Sequence, residues 1–508
     1  MALSRIRTIA LMGLEGHLVD VEVNISEGLP SYTLLGLPDT ALSESRERVR
    51  SALVNSGYTW PNRRVTVSLS PAWLPKKGSH FDLPIAIALL VATGEVSQDV
   101  CENKIFLGEL GLDGSLRFIR GVLPSLLSAG KHSFSCAIIP QSNSDESALV
   151  RSIKSVTGSS LSSVVAFLLT GEHENEPSPS SSISTNTNPL NLSDVAGQSL
   201  AREALEIAAI GSHHLLFIGP PGAGKTMLAE RIPTILPQLD NERALQVNAI
   251  HSVAGVLHER GVLSTVPPFI APHHTTTATA MIGGGAHLVR PGAISLAHQG
   301  VLFIDEAPEC NPGVLDALRQ PLESGEVTIS RAAGTTIYPA KFLLVLAANP
   351  CPCGRYSGKG RGCTCSSMQI RRYLQKLSGP LLDRVDIRTF VEAPTRAELV
   401  SENLAETSEV VRRRVIAARN AAQERFKDCP WNMNSEIPPK ELRVRFKAEK
   451  SGMTFLHNEL ESERLSARGF HKILRLAWSI ADKRGHFIPS REDVEAAYRL
   501  REGMELFR

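Results

Sequence analysis

Long hydrophobic runs are missing from this 508-residue chain. The longest, Ile85–Ala92, has eight residues, whereas a bilayer span needs roughly 18. Near the N-terminus the apolar stretch Ile9–Leu14 stops at Glu15, too short for the core of a signal peptide. No membrane partner is therefore expected. Cysteine is scarce too: eight in all, four of them in one short segment. That excludes a disulfide framework and makes a reducing, cytoplasmic setting the default. Nor is charge of one sign in excess. Lys plus Arg number 54 and Asp plus Glu 52, so a nucleic-acid surface would have to be local. One stretch qualifies: between Lys341 and Arg388 lie nine basic residues (341, 355, 359, 361, 371, 372, 376, 384 and 388) and two acids, Asp383 and Asp386. The rest is ordinary for a folded chain, with 42% hydrophobic residues, and about 150 residues per domain gives about three domains.

Residues 172–190 fall in a Ser/Pro/Asn tract that cannot bury a core, and are read as a flexible linker. Before it, residues 1–171 mix alternating strand patterns (Leu18–Val23, Arg64–Leu69) with a helical one (Thr40–Leu53), an α+β block. After it, short apolar runs bounded by turns alternate with helical stretches: 215–219, 301–305 and 342–349. Buried parallel strands have this form, so residues 191–395 are read as an α/β core. Strand signals vanish from about 396 to 508, where helices dominate and Pro489-Ser490 before Asp493 starts the last one.

The strongest motif is Gly219-Pro220-Pro221-Gly222-Ala223-Gly224-Lys225-Thr226 between a strand and a helical segment. This is a P-loop in its proper context. Glycines let backbone N–H groups wrap phosphates, Lys225 reaches the β/γ oxygens, and Thr226 offers a hydroxyl to Mg²⁺. ATP and Mg²⁺ are the implied cofactors. A hydrolytic site also needs an acid for the metal and a base for water. Val301-Leu-Phe-Ile-Asp305-Glu306 supplies both at a strand end: Asp305 toward the metal, Glu306 toward the water.

With these motifs the chain resembles the AAA+ ATPases. The resemblance implies that Asn349, ending Phe342–Ala348, is the sensor-1 residue; a simple turn start is the competing reading. A helix follows with Ile370, Tyr373, Leu374 and Leu377 on one face. In Ser378-Gly-Pro-Leu-Leu-Asp-Arg384-Val-Asp386, Arg384 matches the arginine finger that acts on a neighbouring subunit, with a local ion pair to Asp383 or Asp386 as the alternative. Ser466-Ala-Arg468-Gly-Phe-His-Lys-Ile-Leu-Arg475 resembles a sensor-2 helix, with Arg468 as the phosphate contact and Arg475 as its substitute. A finger in trans implies a homo-oligomeric ring, a hexamer by resemblance.

Between P-loop and acid pair lie 78 residues, including His273-His-Thr-Thr-Thr-Ala-Thr-Ala-Met-Ile-Gly-Gly-Gly285 and Arg290–Gly300. With Leu318–Arg331 leading into a hairpin that ends at Lys341, they resemble the magnesium-chelatase and replicative-helicase branch. The paired histidines lack a third ligand at useful spacing, so packing or loop hydrogen bonding is preferred to metal. In the N-terminal block, Gly36-Leu-Pro-Asp-Thr, Glu44–Arg50 and Leu107–Arg117 resemble a Lon-protease-like domain. Its Ser–Lys pair is absent: His80 stands at the nucleophile position, Ser79 is one residue early, and Leu123 replaces the lysine. The block is read as a non-proteolytic scaffold or a module for binding DNA or a partner.

Cys351-Pro-Cys353 and Cys363-Thr-Cys365 are separated by nine residues. Four thiolates can hold tetrahedral Zn²⁺, the reading preferred over free thiols or a redox pair, and Arg355, Lys359 and Arg361 on the loop suit phosphate-backbone contact. The basic helix 411–427 is read as an amphipathic core helix with a basic outer face. A Lon-like block, a chelatase-like ATPase with the Asn-Pro-Cys-Pro-Cys-Gly run, and a helical C-terminal lid resemble the YifB/ComM family essentially end to end. The resemblance implies a DNA motor, a helicase that drives branch migration of recombination intermediates on single-stranded or branched DNA in natural transformation. The alternative is a chelatase-like remodelling subunit acting on a protein or tetrapyrrole.

Overall fold

A computed structural model describes residues 2–76, 78–172, 190–257, 264–285, 289–331, 334–356, 362–396, 398 and 405–502. The linker expected at 172–190 lies outside these residues except at its two ends, and so do Lys359 and Arg361.

The N-terminal block is built on a seven-stranded mixed sheet in the order Ser31–Leu35, Arg64–Ser70, Glu15–Ser26, Ala2–Met12, Lys104–Phe106, Cys136–Pro140, Lys154–Gly158. Ala2–Met12 and Glu15–Ser26 form a long antiparallel pair turned at Gly13, and the last four strands of the order run parallel. Val19, Val21, Val23 and Ile25 are buried while the residues between them reach outward. The period of two read from the sequence is this sheet's one-sided burial. Asp82–Thr93, apolar on nearly every side, is the central helix against it.

The second sheet has five parallel strands in the order Phe269–Ile270, Val301–Ile304, Leu343–Ala348, Leu215–Ile218, Ile387–Phe390. Successive side chains alternate between two cores. Leu215, Phe217, Val301, Phe303, Val345 and Ala347 join the layer shared with the C-terminal helices. Leu216, Ile218, Leu302, Ile304, Leu344 and Leu346 join the layer under the hairpin Glu326–Arg331/Gly334–Pro339. A sheet covered on both faces requires continuous apolar strands, and each fully buried Val, Leu, Ile or Phe side chain among them contributes roughly 1.5–3 kcal/mol.

Helices follow from Ser408 onward, with Ala467–Arg484 central among them. Ser408–Arg425 buries Val411, Val415 and Ala418 as the apolar pattern implies, adds Ala422 to them, and leaves Ile416, read with the same face, exposed. Its basic face is less free than the pattern suggested. Arg414 pairs with Glu206 and Glu406, Arg419 donates to the Ala209 carbonyl, and Arg425 pairs with Asp482. These arginines bind the lid to itself and to the ATPase core.

The N-terminal block and the ATPase core share a hydrophobic cluster: Ile9, Leu107, Leu123 and Ile139 pack with Ala249 and Leu257. Ser252 donates to Glu146 at 2.5 Å. At the turn, a Cβ on Gly13 would come 2.8 Å from Thr336 and 3.2 Å from the Ile337 carbonyl oxygen, so glycine there lets the block close on the hairpin. No helix among the described residues is long and apolar enough to cross a membrane.

Candidate nucleotide site and cysteine cluster

The strand order brings the phosphate-handling residues together. Gly219 follows Leu215–Ile218, Asn349 follows Leu343–Ala348 and Asp305 follows Val301–Ile304. These three strands are neighbours, so the residues meet at their carboxyl ends, where open α/β sheets bind ligands. Gly222 and Gly224 have φ of +76° and +89°, values that side-chain-bearing residues resist. Gly219 is required by space: a Cβ there would lie 2.2 Å from the Val391 carbonyl oxygen.

The Lys225 ammonium donates to the Gly219 carbonyl (2.7 Å), the Pro220 carbonyl (3.0 Å) and the Asn349 side-chain oxygen (3.1 Å). Burial lowers its pKa, opposed by the charges of Asp305 and Glu306. Thr226 Oγ1 donates to Asp305 Oδ2 at 2.7 Å, and the Glu306 N–H donates to Asp305 Oδ1 at 2.8 Å. A hydroxyl and a carboxylate side by side form a hard oxygen donor set that fits Mg²⁺. Glu306 has φ of +48°, the kind of strained backbone that concentrates at functional sites. Its carboxylate is 3.3 Å from His274 Nδ1.

Of the arginines that the resemblance assigns to phosphate, Arg384 is expected to act on a neighbouring subunit, and Arg468, with Arg475 as substitute, is expected at the phosphate as sensor 2. Arg384 precedes Ile387–Phe390, which pairs in parallel with the P-loop strand at Leu215↔Ile387. It therefore sits at the amino end of the sheet, about four residues or roughly 13 Å of strand from the P-loop end. Its guanidinium donates to the Pro380 carbonyl at 2.6 Å and pairs with Glu323, neither of the two aspartates considered from sequence. Arg468 is three-quarters exposed and lies 3.4 Å from Asp383, on the same side as Arg384. Arg475 is committed to the Ile437 carbonyl. None of the three reaches the P-loop of its own chain.

Sequence reasoning missed three residues. Gln198, at φ +55°, donates from its side-chain amide to the Ala223 and Glu392 carbonyls, against the P-loop. His274 meets Glu306, while His273 bonds Thr275 as a loop histidine would. Tyr373, which the sequence places only on an apolar helix face, has its hydroxyl on the Asn349 backbone N–H, and burial pushes its pKa up. Only the double histidine carried any signal in the sequence.

The four cysteines converge. Their sulfurs all lie within 4.8 Å of one another, with Cys351–Cys353 at 3.3 Å, Cys351–Cys363 at 3.7 Å and Cys353–Cys363 at 3.6 Å. Zn–S bonds of about 2.3 Å give a tetrahedral edge of about 3.8 Å. Backbone N–H groups of Arg355 and Thr364 bring the Cys353 thiol down to about 6. The cluster abuts the nucleotide loop, since a Cβ on Gly354 would be 2.6 Å from Pro221. The basic stretch around it is not one surface: Lys376 pairs with Glu309, Arg384 with Glu323, and burial lowers the pKa of Arg388.

In the first block, the three residues compared from sequence with a protease site have other partners. The Ser79 hydroxyl donates to Glu109, and Leu123 is wholly buried in the shared cluster. Burial takes His80 down to about 4, with its ring on the Ile9 carbonyl.

Three family models match the chain: "Magnesium chelatase, subunit ChlI" over residues 191–399, "Subunit ChlI of Mg-chelatase" over 21–143, and "Magnesium chelatase, subunit ChlI C-terminal" over 405–501. The uncharacterized protein YifB of Escherichia coli is 42% identical over 503 residues, covering 99% of this chain and 97% of that one. Competence protein ComM of Haemophilus influenzae is 41% identical over 495 residues, covering 96% and 94%. The chain belongs to the YifB/ComM family. It is accordingly a nucleotide-hydrolysing AAA+ ATPase of the chelatase superfamily. Within this YifB/ComM member a shorter likeness concerns the first block: Lon protease 2 of Bacillus subtilis is 31% identical over 153 residues, 28% of this chain and 27% of that one.

Proposed function

We propose that this chain is a chelatase-type remodelling ATPase, working as a ring and using ATP hydrolysis to remodel a protein or tetrapyrrole partner. The observation that carries the reading is the split site. Lys225, Thr226, Asp305, Glu306 and Asn349 stand at one edge of the sheet, and Arg384 and Arg468 stand at the other. In a ring, one subunit's arginine edge faces the next subunit's P-loop. Loop N–H groups and Lys225 bind the phosphates. Thr226 and Asp305 would hold Mg²⁺, which lends positive charge to the phosphates. Glu306 takes the proton of the attacking water, Asn349 helps orient that water, and the neighbour's Arg384 offsets charge growing on the γ-phosphate.

DNA as the moved substrate, with helicase or branch-migration activity, is the second reading. The end-to-end likeness to a competence protein favours it. A protein or tetrapyrrole partner is favoured by the three chelatase-model matches. Zn²⁺ at Cys351, Cys353, Cys363 and Cys365 belongs to the same proposal, as does a Lon-like first block without peptidase activity. The sulfur spacings support the former, and Ser79–Glu109 with the buried Leu123 supports the latter. The test is ATP turnover with no DNA, single-stranded DNA and four-way-branched DNA. Stimulation by DNA that fades as salt rises selects the DNA motor. Turnover indifferent to all three selects the remodelling subunit. No turnover in any condition refutes the proposal.

A further inference from the structure

Where the N-terminal block meets the ATPase core there is a half-open cavity of about 470 Å³, inside the range of roughly 300–1,000 Å³ typical of small-molecule sites. One wall comes from the first block (Met12, Phe118, Arg120), the other from the ATPase inserts (Arg290, Arg331, Tyr338). Three guanidiniums thus come from two separate parts of the chain. Arg120 and Arg290 are close enough for the charge of the second, after burial, to lower the pKa of the first. Arg120 lies across Gly255, where a Cβ would be 2.4 Å from its Nε, and Arg331 lies across Gly284 at 3.0 Å. Small residues make room for both side chains.

Among the described residues none of Arg120, Arg290 and Arg331 forms an ion pair; the one acidic lining residue, Glu109, accepts the Ser79 hydroxyl and pairs with none of the three. All three arginines are solvent-exposed at the cavity, and like charges facing one space favour an anion between them. Guanidinium forks suit phosphate oxygens, which they grip in pairs. The remaining lining is largely apolar, with Phe118 as its partly exposed aromatic ring and Tyr338 fully buried behind the wall. The Tyr338 hydroxyl donates to the Val289 carbonyl at 2.8 Å, which fixes this part of the wall.

We infer that this junction is a second phosphate-binding site, separate from the P-loop, that takes one nucleotide unit: phosphate on the three arginines, base against the aromatic and apolar wall. The unit is a free mononucleotide or one nucleotide of a single strand. Because Arg331 ends one strand of the hairpin and Met12 ends a strand of the first block, an occupant would tie the two parts together.

The experiment compares the full chain with Arg120→Gln/Arg331→Gln, titrating AMP in one arm and a fluorescein-labelled dT12 oligonucleotide in the other. Basal ATP turnover serves as the folding control and is expected to be unchanged, because neither arginine belongs to the hydrolytic site. At least tenfold weaker AMP binding supports the site with a free nucleotide as occupant. At least tenfold weaker oligonucleotide binding supports it with a strand as occupant. Equal binding of both probes by parent and variant, or no binding of either by the parent, overturns it. A second variant, Arg290→Gln, guards against loss of fold and is expected to weaken the same probe.

Discussion

Acidification should weaken the ATPase core by a calculable amount, through two histidines under the central strand. His298 Nδ1 accepts the Lys341 N–H at 3.1 Å, and His214 Nδ1 accepts the Leu344 N–H at 3.1 Å. A ring nitrogen that accepts a hydrogen bond carries no proton, so both imidazoles are neutral in the fold. Burial takes both down to about 4 from an unfolded value near 6.5. The unfolded chain therefore binds the extra proton first. Stability is complete above about pH 6.5 and falls as the pH drops toward 4. Lowering the pH from 7.5 to 5.5 costs about 1.4 kcal/mol at most per histidine, and less for His214, which is only half-buried. Asn presents an acceptor where Nδ1 stood, so His214→Asn/His298→Asn keeps the bonds and removes the titration. Urea unfolding of parent and variant at the two pH values measures the difference, and all other titrating groups cancel. The parent should lose about 2 kcal/mol more than the variant. Equal losses would refute the assignment of neutral, accepting rings.

Three other outcomes follow from the geometry. Arg384→Ala and Glu306→Gln should each abolish ATP turnover alone, yet a mixture should regain a measurable fraction, because one intact interface forms from the P-loop edge of the first and the arginine edge of the second; a mixture as inactive as its parts argues against a shared site. Elemental analysis should find about one Zn²⁺ per chain, lost together with some ATP affinity in Cys353→Ser/Cys363→Ser because Gly354 packs on Pro221; a metal-free parent purified without chelator removes the zinc reading. Arg425→Ala should destabilise the lid by about 3–5 kcal/mol, since it strands the Asp482 carboxylate, 1% exposed and held by Arg425 at 2.7 and 2.6 Å. Adding Asp482→Asn should restore part of the loss in thermal melts, and no restoration would place the effect outside the ion pair.

What the sequence reveals, and what it hides, divide along one physical line. Apolar runs that end in a glycine loop or an acid pair report burial and chemistry at the same place, so Leu215–Thr226 and Val301–Glu306 are legible in the sequence alone. Contacts between distant segments leave no such trace. Gln198 has no motif around it, and Tyr373 reads as one more core residue on a helix, yet both touch the nucleotide site. Basic residues mislead for the same reason: a pattern shows that Arg414, Arg419 and Arg425 avoid the apolar stripe, not that Glu206, the Ala209 carbonyl and Asp482 await them. The docking of the first block onto the hairpin depends on a two-residue turn at Gly13 that any hairpin could carry.

The central claim is that Glu306 drives water onto ATP held by Lys225, Thr226 and Asp305. The measurement that reaches it most directly is ATP turnover by the parent chain and by Glu306→Gln, with nucleotide binding measured on both. The expected result is turnover reduced about 10²–10⁴-fold with binding kept. Undiminished turnover in the variant, or a parent that binds ATP and never hydrolyses it, would contradict the account.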